Sequence, residues 1–153
     1  MSRENLGIYL NDHLAGSVMA VELIERVLDV ERNTELAKSL NAVLKEIEED
    51  RGVLRSLIER IGEHEHAVKK AAAWLAEKAG RIKLDEGALG RLEMLETLTL
   101  GIEGKYQLWR ALERVASRHP ELAGVDYPGL EKRAREQHDM VEGHRLEAAT
   151  LAL

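Results

Sequence analysis

Cysteine and phenylalanine are absent from this chain, proline occurs only twice, and aromatic residues make up 3% of it. Without cysteine there can be no disulfide, no zinc–thiolate site and no thiol nucleophile, so any metal would have to be held by carboxylate and imidazole. Scarce aromatics and a formal net charge of −6 argue against a nucleic-acid partner. Bases would find few stacking platforms, and the attraction to phosphate that supplies most such binding is missing. No apolar run approaches the roughly 20 residues needed to span a bilayer, and the opening "MSRENLGIYL" lacks the apolar stretch of a signal peptide. The expectation is a soluble cytoplasmic protein with no membrane partner. A length of 153 residues reads as a single domain, 1–153, large enough to bury a core without covalent staples.

What is present is helix-forming. Leu, Ala, Glu, Arg and Lys dominate, and no alternating pattern of strand type persists. Both prolines, Pro120 and Pro128, fall within "HPELAGVDYPG". The pattern predicts an all-α chain with helices over about 3–30, 34–62, 86–117 and 127–151. Asn33 or Thr34 caps the second helix, Gly62 ends it, Asp85 caps the third, and Asp126 or Tyr127, before Pro128, opens the fourth. Between the second and third lies "EHEHAVKKAAAWLAEKAGRIKL", with a short helix of its own over about 67–80. Short loops make helices 1 and 2, and helices 3 and 4, antiparallel hairpins. The long middle connection can run back along the bundle. Two hairpins joined by one long crossover is the ferritin-like four-helix-bundle layout; a simple up-down bundle is the competing one.

The apolar seams carry polar interruptions. Helix 2 steps through Leu36, Leu40, Val43, Ile47, Asp50, Leu54, Leu57 and Ile61, with Asp50 its one polar member. Helix 4 steps through Leu130, Ala134, Gln137, Val141, His144, Ala148 and Leu151. His13 lies on or beside the seam of helix 1. In helix 3, which reads Leu92, Leu95, Thr99, Ile102, Tyr106 and Trp109, Glu96 and Glu103 flank the stripe. With helices 2 and 3 opposed to 1 and 4, His13, Asp50, Glu103 and Gln137 fall at one height. A looser second level would hold Ser17, Glu46, Glu96 and His144. A buried, unpaired carboxylate costs several kcal/mol, roughly, so Asp50 and Glu103 must find a donor, a cation or a proton. His13 and Gln137 can donate, and Arg51 or Lys105 can bend inward. Gly101 and Gly104 leave room for a close helix, a water or a larger group.

The stretches "LGIYLNDHLAGS", "EIEEDRGVL", "AAWLAEKAGRIKL" and "LETLTLGIEGKYQLWRAL" resemble a family of small bacterial ferritin-like proteins of unassigned function. The resemblance implies a ferritin-like bundle descended from dimetal proteins, which carry one carboxylate on each of two helices and Glu-x-x-His on the other two. Glu103 matches the helix 3 carboxylate. Helix 2 offers only Glu46, Glu49 and Asp50, and Gln137 stands where helix 4 would supply a ligand.

Two classes of function follow. In the first, His13, Asp50, Glu103 and Gln137 form a buried polar network that fixes register in a non-catalytic protein with no cofactor. In the second, His13, Asp50, Glu103, Glu46 and His144 ligate iron or manganese in a metal-binding protein or oxidoreductase. A third alternative, a small ligand held between the helices, needs a cavity lined by Gly101 and Gly104. His64 and His66 read as loop residues, His138 and Glu142 as a surface pair, and Trp74 and Trp109 as core anchors. The C-terminal "LEAATLAL" either packs on the bundle or joins a partner subunit; a homodimer would be ordinary for such a bundle.

Overall fold

The computed structural model describes residues 2–62 and 87–153, together with Ala73 and Glu77 of the intervening stretch. Four long helices make up nearly all of it: α1 (Ser2–Val30), α2 (Glu35–Arg60), α3 (Ala88–Val115) and α4 (Tyr127–Ala152). No strand occurs among the described residues, so the chain is all-α.

The helix ends follow from side-chain chemistry. Thr34 is the cap of α2: its Oγ1 accepts from the Ala37 amide at 3.1 Å, meeting one of the donors that a helix start leaves open. Asn33 turns the chain into that cap with φ +59°, a left-handed conformation that asparagine tolerates better than most residues. At the other end of α2, Gly62 takes φ +73°, and its amide reaches back to the Glu59 carbonyl at 3.0 Å, as expected of a glycine just past a helix. Asp126 starts α4 by accepting from the Gly129 amide at 3.1 Å, with Pro128 in the first turn, where its missing N–H costs nothing. Pro120 opens a single 3-10 turn, Pro120–Leu122, that follows another, Ala116–Arg118. Tyr127 clamps this corner by donating from its hydroxyl to the Leu122 carbonyl at 2.8 Å. The start of α3 has no side-chain cap; Gly87 occupies the position. Asp85, the expected cap, lies outside the described residues, as do His64, His66, Trp74 and most of the expected crossover helix.

The packed pairs are α1 with α2, α1 with α3, α2 with α4, and α3 with α4. The helices therefore form a ring in which α1 and α4, and α2 and α3, are the diagonals. The core separates into two apolar clusters. One gathers Leu6, Leu10 and Leu14 with Leu57, Trp109 and Leu130. The other gathers Ile24 and Val27 with Leu40, Leu95, Ile102 and Val141. The first cluster takes the start of α1, the end of α2, the end of α3 and the start of α4. So α1 and α4 run one way and α2 and α3 the other, and every neighbouring pair is antiparallel. It also means that α2 ends at one pole and α3 begins at the opposite one.

The seam read along α2 is buried in full, Asp50 included. In α1, Leu6, Leu10, Leu14, Val21, Ile24 and Val27 are buried, and His13 and Ser17 sit on the shoulder. In the C-terminal run, Ala148 is buried and Ala149 and Ala152 pack beside it, while Leu146, Leu151 and Leu153 are exposed. That segment therefore completes α4 with one face.

Candidate functional site: an ionic layer and an adjoining cavity

The two apolar clusters are separated by a polar layer. Its hub is Asp50, 2% exposed, and beside it lies Gln137, 1% exposed. Lys105 of α3 reaches across the diagonal and donates from Nζ to Asp50 Oδ2 at 2.6 Å. The same ammonium donates to Gln137 Oε1. Arg133 of α4 donates to the other oxygen, Asp50 Oδ1, and to Glu49 Oε2 at 3.0 Å. Gln137 Nε2 donates to Glu46 Oε2 at 2.7 Å. The pattern is set by helical spacing. Glu46 and Asp50 are four apart on α2, Arg133 and Gln137 four apart on α4, and the two helices are antiparallel, so each residue of one pair meets one of the other.

Asp50 and Gln137 are thereby answered, while Arg133 Nε has no partner among the described residues. Asp50 has a cation on each oxygen, and the Gln137 amide has an acceptor for its N–H and a donor for its carbonyl. Burial pulls the Lys105 ammonium below the ordinary lysine value of 10.5, and the adjacent Asp50 carboxylate pulls it back up.

The expected cluster is present in part. Asp50 and Gln137 belong to it, with Glu46 drawn in from the looser level. Glu103 does not: it is exposed and, among the described residues, accepts from Gln107 Nε2 at 3.3 Å. The reason lies in the face that α3 presents. Its buried flank runs Leu98, Lys105, Leu112 at heptad spacing, with Leu98 at 3% and Leu112 at 1% exposure, and this turns the Glu96–Glu103 track toward solvent. Arg133 is the member that sequence reading missed. Its signal was its place one turn before Gln137, on the same face.

His13 is half-buried on α1, its ring edge-to-face with Tyr9 at 4.7 Å between centroids. Burial lowers its pKa below the ordinary 6.5, and Asp12 partly offsets this. It shares a cavity with Asp50 and Lys105 and makes no direct hydrogen bond to either. The second level does not assemble. Ser17 bonds to the Leu14 carbonyl at 2.6 Å, and Glu96 pairs with Arg145 at 3.2 Å. His144 Nε2 meets Ser39 Oγ at 2.9 Å, 11 residues from Asp50 and so about 16 Å away along α2. Glu142 is held by two nitrogens of Arg145, both at 2.6 Å, rather than by His138.

These contacts decide how well the residues fit the dimetal centre that the resemblance implies. Both oxygens of Asp50 are taken by protein cations, Gln137 offers an amide, Glu103 faces water, and His144 lies about three turns away. Among the described residues, no three His, Asp or Glu side chains converge as a metal site would require. The donor set does not fit.

On the α1 side of the layer is a cavity of about 90 Å³. Asp50, Lys105, Trp109 and Leu108 lie at its inner wall, and the exposed Gly16 and Gly101 at its outer edge. Gly101 thus borders a cavity as expected; Gly104 does not line it.

No helix is long and apolar enough to cross a membrane among the described residues. Comparison with protein-family models, with curated proteins and with solved structures returns no match in any of the three.

Proposed function

We propose that this chain is a non-catalytic, ferritin-like bundle in which an ionic layer stands where related bundles hold a dimetal centre. The observation that carries the reading is Asp50, clasped by Lys105 and Arg133 between the two apolar clusters. Two cations neutralise the carboxylate that a metal would need. Parallel α2 and α3, each in its own antiparallel hairpin, support the ferritin-like layout, since that topology demands a return crossing between them.

The layer has an architectural role that apolar packing could not fill. Two runs of Leu, Ile and Val can slide past one another by a turn with little loss, whereas Asp50 meets Lys105 and Arg133 in only one register. Buried polar groups have this use in helical bundles at some cost in stability. A cytoplasmic location is assigned on composition, because a chain without cysteine draws nothing from an oxidising compartment.

Elemental analysis of the purified protein, followed by ferrous iron titration under oxygen, tests the reading. The expected result is iron well below one equivalent and no oxygen consumption above that of buffer. Stoichiometric iron with oxidation, lost in Asp50→Asn, would replace it with an iron- or manganese-binding protein.

A further inference from the structure

The chain between α2 and α3 has to travel the length of the bundle, because α2 ends at one pole and α3 begins at the other. Both ends of that stretch are tied to α1. Arg3, at the start of α1, donates from Nε to the Ile61 carbonyl at 3.1 Å. Arg91, in the first turn of α3, pairs with Glu31 just past the end of α1. The helical rise from Arg3 to Glu31 is about 42 Å. Residues 63–86, with the helix over 67–80 that the sequence predicts, span about 50 Å at full stretch. A course along one helix of the bundle is therefore within reach, and the two helices that lie between the diagonal pair are α1 and α4.

Surface chemistry separates the two. Helix α4 turns Lys132, Arg135, Glu136, Asp139 and Glu147 to solvent, with Met140 and Leu146 among them. Its approach from the end of α2 is also occupied: Arg60 donates to the Ala123 carbonyl at 3.0 Å, in the corner that leads into α4. In α1, by contrast, residues 5–21 hold Asp12 as their one Asp, Glu, Lys or Arg. Ile8 is 50% and Tyr9 36% exposed, and Ala15, Val18 and Met19 are half-buried. A helix apolar around so much of its circumference is one that folded proteins cover.

The connecting stretch carries a face to match. Ala73 and Glu77 are helical, one turn apart and exposed, which marks the outer side of their helix. By helical spacing Val68, Ala71, Ala72, Leu75 and Ala79 fall on the opposite side. Charge agrees as well. Over 66–83, Lys69, Lys70, Lys78, Arg81 and Lys83 stand against Glu77, while in α1 Glu4, Asp12, Glu22, Glu25 and Asp29 stand against Arg3 and Arg26. A second copy of the chain on this face would bring acid against acid. We propose that the outer face of α1 is the docking surface for the chain's own residues 67–80, their Ala/Leu side laid along it and running in the direction of α1. The proposal is independent of whether the ionic layer binds a metal.

The chain has no cysteine, so a pair of introduced thiols reports one distance. Ala76→Cys is combined with Val18→Cys on α1, or with Asp139→Cys at a similar height on α4, and each double variant of the full chain is treated with a short bismaleimide at low protein concentration. The expected result is a crosslink within one chain for the α1 pair, formed at least about tenfold faster than for the α4 pair. An equal or faster crosslink to α4, or none in either variant, would overturn the proposal. So would an α1 crosslink formed only between chains, which would identify a second copy as the cover. Thiol reactivity gives a second measurement. In Ala15→Cys, adding Leu75→Asp should speed reaction with Ellman's reagent by about tenfold or more, and should leave the rate in Asp139→Cys unchanged. Acceleration at both positions alike, or at neither, would count against docking on α1.

Discussion

The two sides of Asp50 solve the same problem differently. Toward α3 and α4, Lys105, Arg133 and Gln137 supply donors to both Asp50 oxygens and to Glu46, although Arg133 Nε is left without a partner among the described residues. Toward α1 the same layer meets a cavity bordered by His13, Ser17 and Gly16, with Gly101 of α3 at its edge. The carboxylate takes its donors from α3 and α4, and α1 gives it none among the described hydrogen bonds.

The largest way to break this contrast is to remove its hub. Asp50→Ala leaves Lys105 and Arg133 without their carboxylate, and should cost about 3 kcal/mol, the lower part of the range for a broken buried pair. Urea unfolding measures it. Replacing all three together, Asp50→Leu with Lys105→Met and Arg133→Met, should recover most of that loss, because an apolar set has no charge left to desolvate.

The open side should respond with the opposite sign. Gly101→Ala adds a methyl in free space on a helix, and should raise stability by about 0.5–1 kcal/mol in the same measurement. An unchanged or lowered stability would mean that the backbone at Gly101 is held closer to a neighbour than the structure has it.

His13 supplies a pH-dependent contrast. Its folded pKa lies below the unfolded value of 6.5, so the unfolded chain takes up the proton first as pH falls. The contribution is complete above the unfolded value and is lost as pH falls from there through the folded one. Unfolding free energies at about pH 7.5 and about pH 5.5 should therefore fall more steeply for the native chain than for His13→Gln. The smallest effect belongs to Glu103→Ala, expected within about 0.5 kcal/mol of the native chain, as for an exposed substitution. A loss of several times that size would return Glu103 to the interior.

Sequence pattern alone was enough for the four long helices, the ends at Thr34, Gly62 and Asp126, and the seam of α2, since each rests on interactions within a few residues. The membership of the ionic layer was less legible. Asp50 and Gln137 stood out as polar residues on apolar stripes, but Glu103 and Lys105 differ by two positions, and only rotation of α3 decides which points inward. That rotation is set by Leu98 and Leu112 packing against the other helices, a tertiary choice that a stripe of 3.6 periodicity leaves within one position either way. Arg133 was hidden for a related reason. A long cationic side chain on a partly exposed position reads as solvated surface, although its stem can cross apolar surface and carry its charge to a buried partner.

Because α1 and α4 run the same way along the bundle, its N-terminal and C-terminal ends emerge at opposite poles. A helix of 26 residues separates them by about 40 Å. Copies joined tail to head by a short linker would line up lengthwise like links in a rod. Closing a single copy into a circle would instead take an extended tether of about a dozen residues laid down its flank.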